Sequence, residues 1–313
     1  MTPYALKKQL DDLSLVMPDH TSSDINFHLN ELVKTGGKKF RPGLLFVFGE
    51  LLNLPEKELI PYARAVELTH LASLVHDDVI DESLTRRHHQ TLNALKDNTT
   101  AVLAGDYILS TVMGELATLN KPQLLIDLTE AIKMLADGEW LQYNLKKKAE
   151  VQWSDLVEIS IKKTGSLIAW CATTPAQLAG RSELSSYRMI GEKIGLVFQM
   201  ADDMIDAFEV NGRPCFLDYK NGQLNFVTQK LSVIKPELKA SIYENKGTEN
   251  YPWERSQYEE ALKAVHQEID KEIKEIFTIF ESTSSTLNSS VKDVFEKMIL
   301  KIQDNYLQYW KRT

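Results

Sequence analysis

Residues 62–82 read YARAVELTHLASLVHDDVIDE, a helical pattern of apolar residues that ends in a cluster of aspartates. The apolar side chains between Val66 and Val75 recur largely at steps of three and four residues, which predicts a helix with one buried face. Asp77 and Asp81 are four residues apart, so their carboxylates project from the same side of that helix. Two such carboxylates repel each other unless a cation neutralises them.

A second aspartate cluster, in QMADDMID at 199–206, ends another strongly apolar helical pattern. A single acidic doublet is usually a solvated pair at a helix end, but two D-D-x-x-D elements in apolar surroundings indicate a shared role. Mg²⁺ takes oxygen ligands and typically combines one or two carboxylates with substrate phosphates. An EF-hand is a poorer match, because its twelve-position loop with a central Gly is missing. The two clusters therefore predict several Mg²⁺ ions around a diphosphate.

The rest of the chain also has helical spacing and few helix breakers. The 313 residues include only 14 Gly and 10 Pro. Together these are about 8% of the chain, against roughly 12% in an average composition. Further apolar helical patterns occupy about 100–118, 123–143, 154–179, 186–209, 254–281 and 290–311. The pattern at 100–118 is apolar nearly all round, which predicts a buried helix. We therefore predict one all-α domain over residues 1–313, with a polar, turn-rich surface loop near 235–253.

Composition argues against several classes of protein. The chain has 36 Lys and Arg against 44 Asp and Glu, a net charge of −8, and this acidity argues against a nucleic-acid-binding surface. No run approaches the ~20 apolar residues of a transmembrane segment, and the first twenty residues lack the apolar core of a signal peptide. Cys171 and Cys215 give neither a disulfide framework nor a zinc-binding spacing. These features predict a cytoplasmic protein.

Basic residues that could bind a diphosphate lie near the first cluster. GGKKFRP at 36–42 is a glycine-opened basic loop that leads into a helix, and both Arg and Lys bind phosphate oxygens. Alone, it is explained equally well as a solvated basic loop, and it is not a P-loop. Arg86 and Arg87 follow Asp81 by five and six residues, close enough to fold over the same pocket.

Two further positions are candidate phosphate contacts. Lys163 and Thr164 lie in a mostly apolar pattern, and His70 lies two helical turns before Asp77 on the same face. A lone helical His is more often structural, so its shared face with the aspartates is what makes it a candidate. No G-x-S-x-G, no H-E-x-x-H and no Cys with an evident His partner is found. The sequence therefore predicts charge stabilisation by metal rather than nucleophilic catalysis.

The order of these motifs along the chain resembles one enzyme family. GGKKFRP, His70, HDDVIDES, RRHHQTLN, AGDYIL, DGEWLQ, KTGSL and GLVFQMADDMID follow one another between about residues 34 and 227. In this order they resemble the trans-isoprenyl (polyprenyl) diphosphate synthases. The resemblance implies the all-α helical bundle of the terpenoid synthase type, usually a homodimer. It also implies a Mg²⁺-dependent condensation of an allylic diphosphate with isopentenyl diphosphate, which gives an all-trans polyprenyl diphosphate.

The resemblance also implies roles for individual residues. The implied metal ligands are Asp77, Asp81, Asp202, Asp203 and Asp206. The implied contacts to isopentenyl diphosphate are Lys38, Arg41, His70 and Arg87. The implied contacts around the allylic diphosphate are Arg86, Lys163, Thr164, Gln199 and Arg213. The implied catalytic set is Asp77, Asp78, Asp81, Lys163 and Asp202.

One segment departs from the family pattern. In NGRPCFLDYKNGQLNFV, Arg213 stands where Lys is usual, Gln223 replaces another Lys, and Asn225-Phe226-Val227 stand for T-L-P. Arg213 keeps the charge but Gln223 does not, and a charged hydrogen bond is worth about 1.5–3 kcal/mol. The alternatives to an active synthase are a subunit of a heteromeric synthase that is inactive alone, or a terpene cyclase.

Product length is predicted from the helix that precedes Asp77. Ser73 and Ala72, four and five residues earlier, are small. At these positions the short-chain members of the family resemble one another in having aromatic side chains that block the growing product. The less favoured alternative is that small residues here merely serve helix packing. The sequence predicts a product of C20 or longer.

Overall fold

The computed structural model describes residues 1–17, 23–34, 39–86, 89–148, 150–210, 214–283 and 289–310, which are predominantly helical. The helices are α1 (Pro3–Asp12), α2 (Ser23–Lys34), α3 (Phe40–Leu51), α4 (Glu56–Ile80), α5 (Leu92–Leu95), α6 (Asn98–Ala117), α7 (Pro122–Leu145), α8 (Trp153–Ser160), α9 (Ser166–Leu178), α10 (Ser185–Ile205), α11 (Leu217–Lys220), α12 (Phe226–Ile234), α13 (Lys239–Asn245), α14 (Arg255–Ser282) and α15 (Ser289–Trp310). A π-helical segment, Ile161–Gly165, joins α8 to α9, and β1 (Thr85–Arg86) pairs antiparallel with β2 (His89–Gln90). The predicted all-α fold class is confirmed.

The chain divides into two compact units, which are described separately. Unit 1 is Met1–Glu130 with Cys171–Leu184, and unit 2 is Ala131–Trp170 with Ser185–Thr313. One domain over residues 1–313 stays a prediction from the sequence. Within the described ranges, no helix is both long and apolar enough to cross a membrane.

The core of unit 1 forms where α4 packs against α3 and α6. Phe46 and Phe48 of α3 and Leu68 of α4 are almost completely buried, as the apolar spacing predicts for α4. Helix α6 differs from the prediction of a wholly buried helix. Its Ile108 is fully buried, but its Leu103 is 59% exposed, because an apolar pattern does not specify which faces the neighbouring helices cover.

In unit 2, α10 lies against α14, α15 and the π-helical segment. Gly195 makes a close approach, where an added Cβ would lie 2.3 Å from the Cα of Gly165. Glycine therefore sets how near α10 comes to the segment that carries Lys163 and Thr164. Elsewhere in the unit, the rings of Phe280 and Phe295 stack with centroids 3.9 Å apart.

Residues 235–253, predicted as a surface loop, contain a 3-10 turn, Pro236–Leu238, and helix α13. At the end of this stretch, Tyr251 and Trp253 pack on Phe216 with ring centroids 4.9 and 5.6 Å away. The polar composition of the stretch conceals these aromatic anchors, which fix its end against the rest of unit 2.

Candidate functional site

The first aspartate cluster lies at the end of α4 in unit 1. Asp77 is half-buried, Asp81 is exposed, and the N–H of Asp81 donates to the carbonyl of Asp77 at 2.8 Å. Asp78 is only 6% exposed, and its Oδ1 accepts hydrogen bonds from Nε and Nη2 of Arg86 at 2.9 and 2.8 Å. The cluster is therefore divided, with Asp78 paired to an arginine and the other two carboxylates accessible to solvent.

The turn after α4 fixes Arg86 beside Asp78. The Ser83 N–H donates to the carbonyl of Asp78 at 2.9 Å, and Asn93 Nδ2 donates to the carbonyls of Asp78 and Ser83 at 3.2 and 3.0 Å. Thr91 Oγ1 donates to the carbonyl of Ser83 at 2.7 Å. These bonds hold the turn closed, so Arg86, a predicted diphosphate contact, is positioned by the first aspartate cluster.

Three of the predicted side chains line one small cavity of unit 1. The cavity has a volume of about 70 Å³, and its lining includes His70, Asp78 and Arg86. The buried residue Glu67 also lines it, among leucine and valine side chains. The helical spacing that made His70 a candidate thus places it in the same cavity as one of the aspartates.

Arg41, at the start of α3, lies near the buried thiol of Cys171. Burial raises the pKa of that thiol, while the charge of Arg41 lowers it and that of Glu67 raises it. This places Arg41 and Glu67 around a common point inside unit 1. Lys38 and Arg87, the other predicted contacts to isopentenyl diphosphate besides His70, lie outside the described residues.

The two predicted chain-length positions differ in their surroundings. Ala72 is fully buried. Ser73 is half-buried, and its Oγ donates to the carbonyl of His70 at 2.8 Å. A larger side chain is therefore easier to place at Ser73 than at Ala72.

The second aspartate cluster lies at the end of α10 in unit 2 and is also divided. Asp202 is exposed, whereas Asp203 and Asp206 are 4% and 5% exposed. Asp203 accepts hydrogen bonds from Nε2 of Gln199 at 2.9 Å and from the N–H of Phe226 at 2.8 Å. Asp206 accepts from the N–H groups of Leu217 and Asp218, at 3.1 and 3.3 Å. Asp203 and Asp206 therefore hold the starts of α12 and α11.

Negative charge is concentrated around this second cluster. Burial, and after it the nearby carboxylate of Asp218, raise the pKa of Asp203 well above its ordinary value. The buried hydroxyl of Tyr258 has no hydrogen-bond partner among the residues that the structure describes. Burial, followed by the charge of Asp206, raises its pKa. Such a site gains stability from a cation, because each carboxylate otherwise disfavours the charge of the next.

The donor chemistry of both clusters fits Mg²⁺. Carboxylate oxygens are the ligands that this ion prefers, and it ordinarily keeps waters and phosphate oxygens as its other ligands. Within the described ranges, no group of three or more His, Cys, Asp or Glu side chains is spaced to hold a metal by itself.

Within the segment that departs from the family pattern, residues 225 and 226 are held by specific contacts. Asn225 caps α12, its Oδ1 accepting from the Thr228 N–H at 3.0 Å, and its Nδ2 donates to Asp218 at 3.2 Å. Phe226 is fully buried against Trp153, with ring centroids 4.7 Å apart. Asn225 and Phe226 therefore fix the start of α12. Gln223 still lacks the positive charge of the lysine that is usual at this position. Arg213 lies outside the described residues.

Lys163 and the half-buried Thr164 lie in the π-helical segment of unit 2, which follows α8. The Nζ of Lys163 forms an ion pair with Oε2 of Glu139 at 2.5 Å and donates to Oε1 of Gln142 at 2.9 Å. Sequence reasoning gave neither α7 residue a role. Their spacing of three residues, which puts both on one helix face, was the available signal.

Comparison with known proteins identifies what the chain is similar to. A family model described as polyprenyl synthetase matches residues 23–268. A prenyl transferase of Synechocystis sp. is 35% identical over 201 residues, which cover 62% of each chain. Solanesyl diphosphate synthase 1 of Arabidopsis thaliana, a chloroplastic protein, is 32% identical over 247 residues, covering 75% of this chain and 59% of that protein.

Solved structures show the same fold. A geranylgeranyl pyrophosphate synthase from Lactobacillus brevis superposes with a TM-score of 0.83 and 23% identity, over 95% of each chain. This likeness supports the all-α isoprenoid synthase fold and says nothing of substrate. The chain spans only about 60% of the length of the curated relatives it matches.

Proposed function

The chain belongs to the polyprenyl synthetase family, and on that basis we propose that it is a Mg²⁺-dependent trans-prenyltransferase. It condenses an allylic diphosphate with isopentenyl diphosphate and makes an all-trans polyprenyl diphosphate of C20 or longer. The observation that carries the proposal is the pair of aspartate clusters, each with at least one solvent-accessible carboxylate at the end of a partly buried helix. The active form is proposed to be a homodimer in the cytoplasm.

The proposed roles follow from burial. Asp77 and Asp81 in unit 1, and Asp202 in unit 2, are the carboxylates that a hydrated cation reaches, so we assign them to Mg²⁺. Asp203 and Asp206 stay in the proposed metal set, but they also anchor α12 and α11. Bound Mg²⁺ supplies positive charge that stabilises the departing pyrophosphate.

The remaining proposed roles concern the substrates. Contacts to isopentenyl diphosphate are assigned to Lys38, Arg41, His70 and Arg87, and contacts to the allylic diphosphate to Arg86, Lys163, Thr164, Gln199 and Arg213. The cations bind and orient the diphosphates, so that the allylic C–O bond breaks where the isopentenyl double bond can attack. The apolar side chains of α4 exclude water from the resulting carbocation. A proton then passes from the condensed chain to the released pyrophosphate, which completes the condensation.

The direct test is product analysis with the purified chain. Labelled isopentenyl diphosphate is supplied with Mg²⁺ and with geranyl, farnesyl or geranylgeranyl diphosphate in turn. Linear products of C20 or longer, lost on adding a chelator, are the expected result. Cyclic hydrocarbons would instead identify a terpene cyclase.

One observation favours a second candidate, a subunit that is inactive alone. Gln223 is half-buried next to the second cluster, with its N–H donating to the Asp218 carbonyl at 2.9 Å, and it carries no charge. If Gln223→Lys converts an inactive, folded chain into an active one, this second candidate is correct.

Enlarging Ser73 is expected to shorten the product. Ser73→Phe places a ring on the half-buried side of α4 one turn before Asp77, where it would block a chain that grows back along the helix. We expect the main product to fall by at least one five-carbon unit, measured by chromatography of the hydrolysed alcohols. Ala72→Phe is the companion variant. An unchanged product distribution in both folded variants would remove α4 from the product path.

A further inference from the structure

Lys163 already has a negatively charged partner in unit 2. Its Nζ lies 2.5 Å from Oε2 of Glu139, and both side chains are mostly buried, 21% and 14% exposed. Gln142, one turn along α7, accepts a hydrogen bond from the same Nζ at 2.9 Å. The lysine is therefore held on one helix face by an ion pair with Glu139 and a hydrogen bond to Gln142.

The backbones around this ion pair are also in contact. An added Cβ on Gly138 would lie 2.6 Å from the backbone nitrogen of Lys163, so α7 touches the π-helical segment directly beside the pair. Single-turn π segments occur frequently at functional sites. Both ends of the Lys163–Glu139 contact are thus fixed by packing.

A diphosphate must compete with Glu139 for this ammonium group. Lysine is a compact point charge on a flexible stem, so it can turn from one anion to another. The glutamate adds negative charge where a diphosphate would bind, and like charges disfavour each other at short range. Glu139 consequently opposes diphosphate binding while it keeps Lys163 in position.

We infer that Glu139 is a positioning residue that competes with the diphosphate for Lys163. Lys163 pairs with Glu139 in the empty site and with the diphosphate in the occupied one. This competition weakens pyrophosphate binding, so that pyrophosphate leaves after each condensation. The inference rests on the proposed function, in which Lys163 binds diphosphate. It adds a residue to that site and a role in turnover. A purely structural glutamate would act differently, because its loss would weaken binding by releasing Lys163.

The test is calorimetric titration of the intact chain with inorganic pyrophosphate in the presence of Mg²⁺. Glu139→Gln removes the charge and keeps the shape, and we expect the Kd to fall about tenfold, the low end of the scale for a close charge pair. The matched control is Glu158→Gln. Glu158 pairs with Lys162, the neighbouring lysine of the same segment, at 2.8 Å, and is 55% exposed. The Kd of Glu158→Gln for pyrophosphate should stay within about twofold of the wild-type value, because an exposed ion pair contributes little energy.

Two further variants make the result specific to Lys163. In a Lys163→Met background, Glu139→Gln should no longer tighten binding, because the glutamate then has no lysine to compete for. Glu139→Asp should give an intermediate Kd and serves if the glutamine variant does not fold. In product assays, Glu139→Gln should lower KM for the allylic diphosphate and also lower kcat, since pyrophosphate release slows.

The outcomes distinguish failure of the role of Glu139 from failure of the proposed function. If the wild-type chain binds pyrophosphate and the folded Glu139→Gln variant binds it with the same or a higher Kd, the role of Glu139 is overturned. The proposed function is then unaffected. Tightening that persists in the Lys163→Met background also overturns the role of Glu139. A wild-type chain that binds no pyrophosphate with Mg²⁺ and makes no product overturns both.

Discussion

Replacing Asp77 with asparagine is expected to lower kcat/KM about a thousandfold while the chain stays folded. Asp77 and Asp81 are the carboxylates of the first cluster that solvent reaches, since Asp78 is paired with Arg86. Losing a carboxylate that holds the metal removes several kcal/mol of transition-state stabilisation, and about 4 kcal/mol corresponds to a factor of a thousand. Asparagine keeps the size of the side chain, so α4 is unaffected. Steady-state kinetics with both substrates measure the effect.

Two controls isolate the contribution of the metal. Glu58→Gln removes an exposed carboxylate from the first turn of the same helix and should leave kcat/KM unchanged. Raising the Mg²⁺ concentration should restore part of the activity of Asp77→Asn, because a weakened site needs more metal to fill. Activity near the wild-type level in this variant, at low Mg²⁺, would remove Asp77 from the metal set.

The spacing of residues predicted the helices and the aspartate clusters, because both depend on contacts within a few residues. Apolar steps of three and four located α4, and the D-D-x-x-D spacing placed Asp77 and Asp81 at its end. The burial of Asp78 and its pairing with an arginine could not be predicted from this spacing. Its partner Arg86 comes from a turn that Asn93 holds, and helix periodicity carries no information about that turn.

The same limit applies to the second cluster and to Lys163. Nothing in QMADDMID says that Asp203 accepts a hydrogen bond from the N–H of Phe226, 23 residues away. Glu139 lies 24 positions before Lys163, so its ion pair depends on how α7 packs against the π-helical segment. Family resemblance names the residues at a site, whereas the partners that adjust their charges become visible only in the packed structure.

Replacing Gly195 with alanine is expected to destabilise the chain by about 2 kcal/mol. The new Cβ would lie 2.3 Å from Cα and 2.5 Å from N of Gly165, and neither backbone atom can turn aside. Overpacking of this kind costs about 3 kcal/mol at the upper end of its usual range, while alanine returns about 1 kcal/mol of helix propensity. The urea midpoint, followed by circular dichroism, should therefore fall.

Gly114→Ala in α6 is the matched substitution, since no atom lies within 4 Å of its added Cβ. Here only helix propensity acts, so the free energy of unfolding should rise by up to about 1 kcal/mol. Because Gly165 ends the segment that carries Lys163 and Thr164, Gly195→Ala should also weaken pyrophosphate binding, whereas Gly114→Ala should not. Equal stability of the two variants would mean that α10 and the π-helical segment are not packed as closely as the 2.3 Å approach at Gly195 requires.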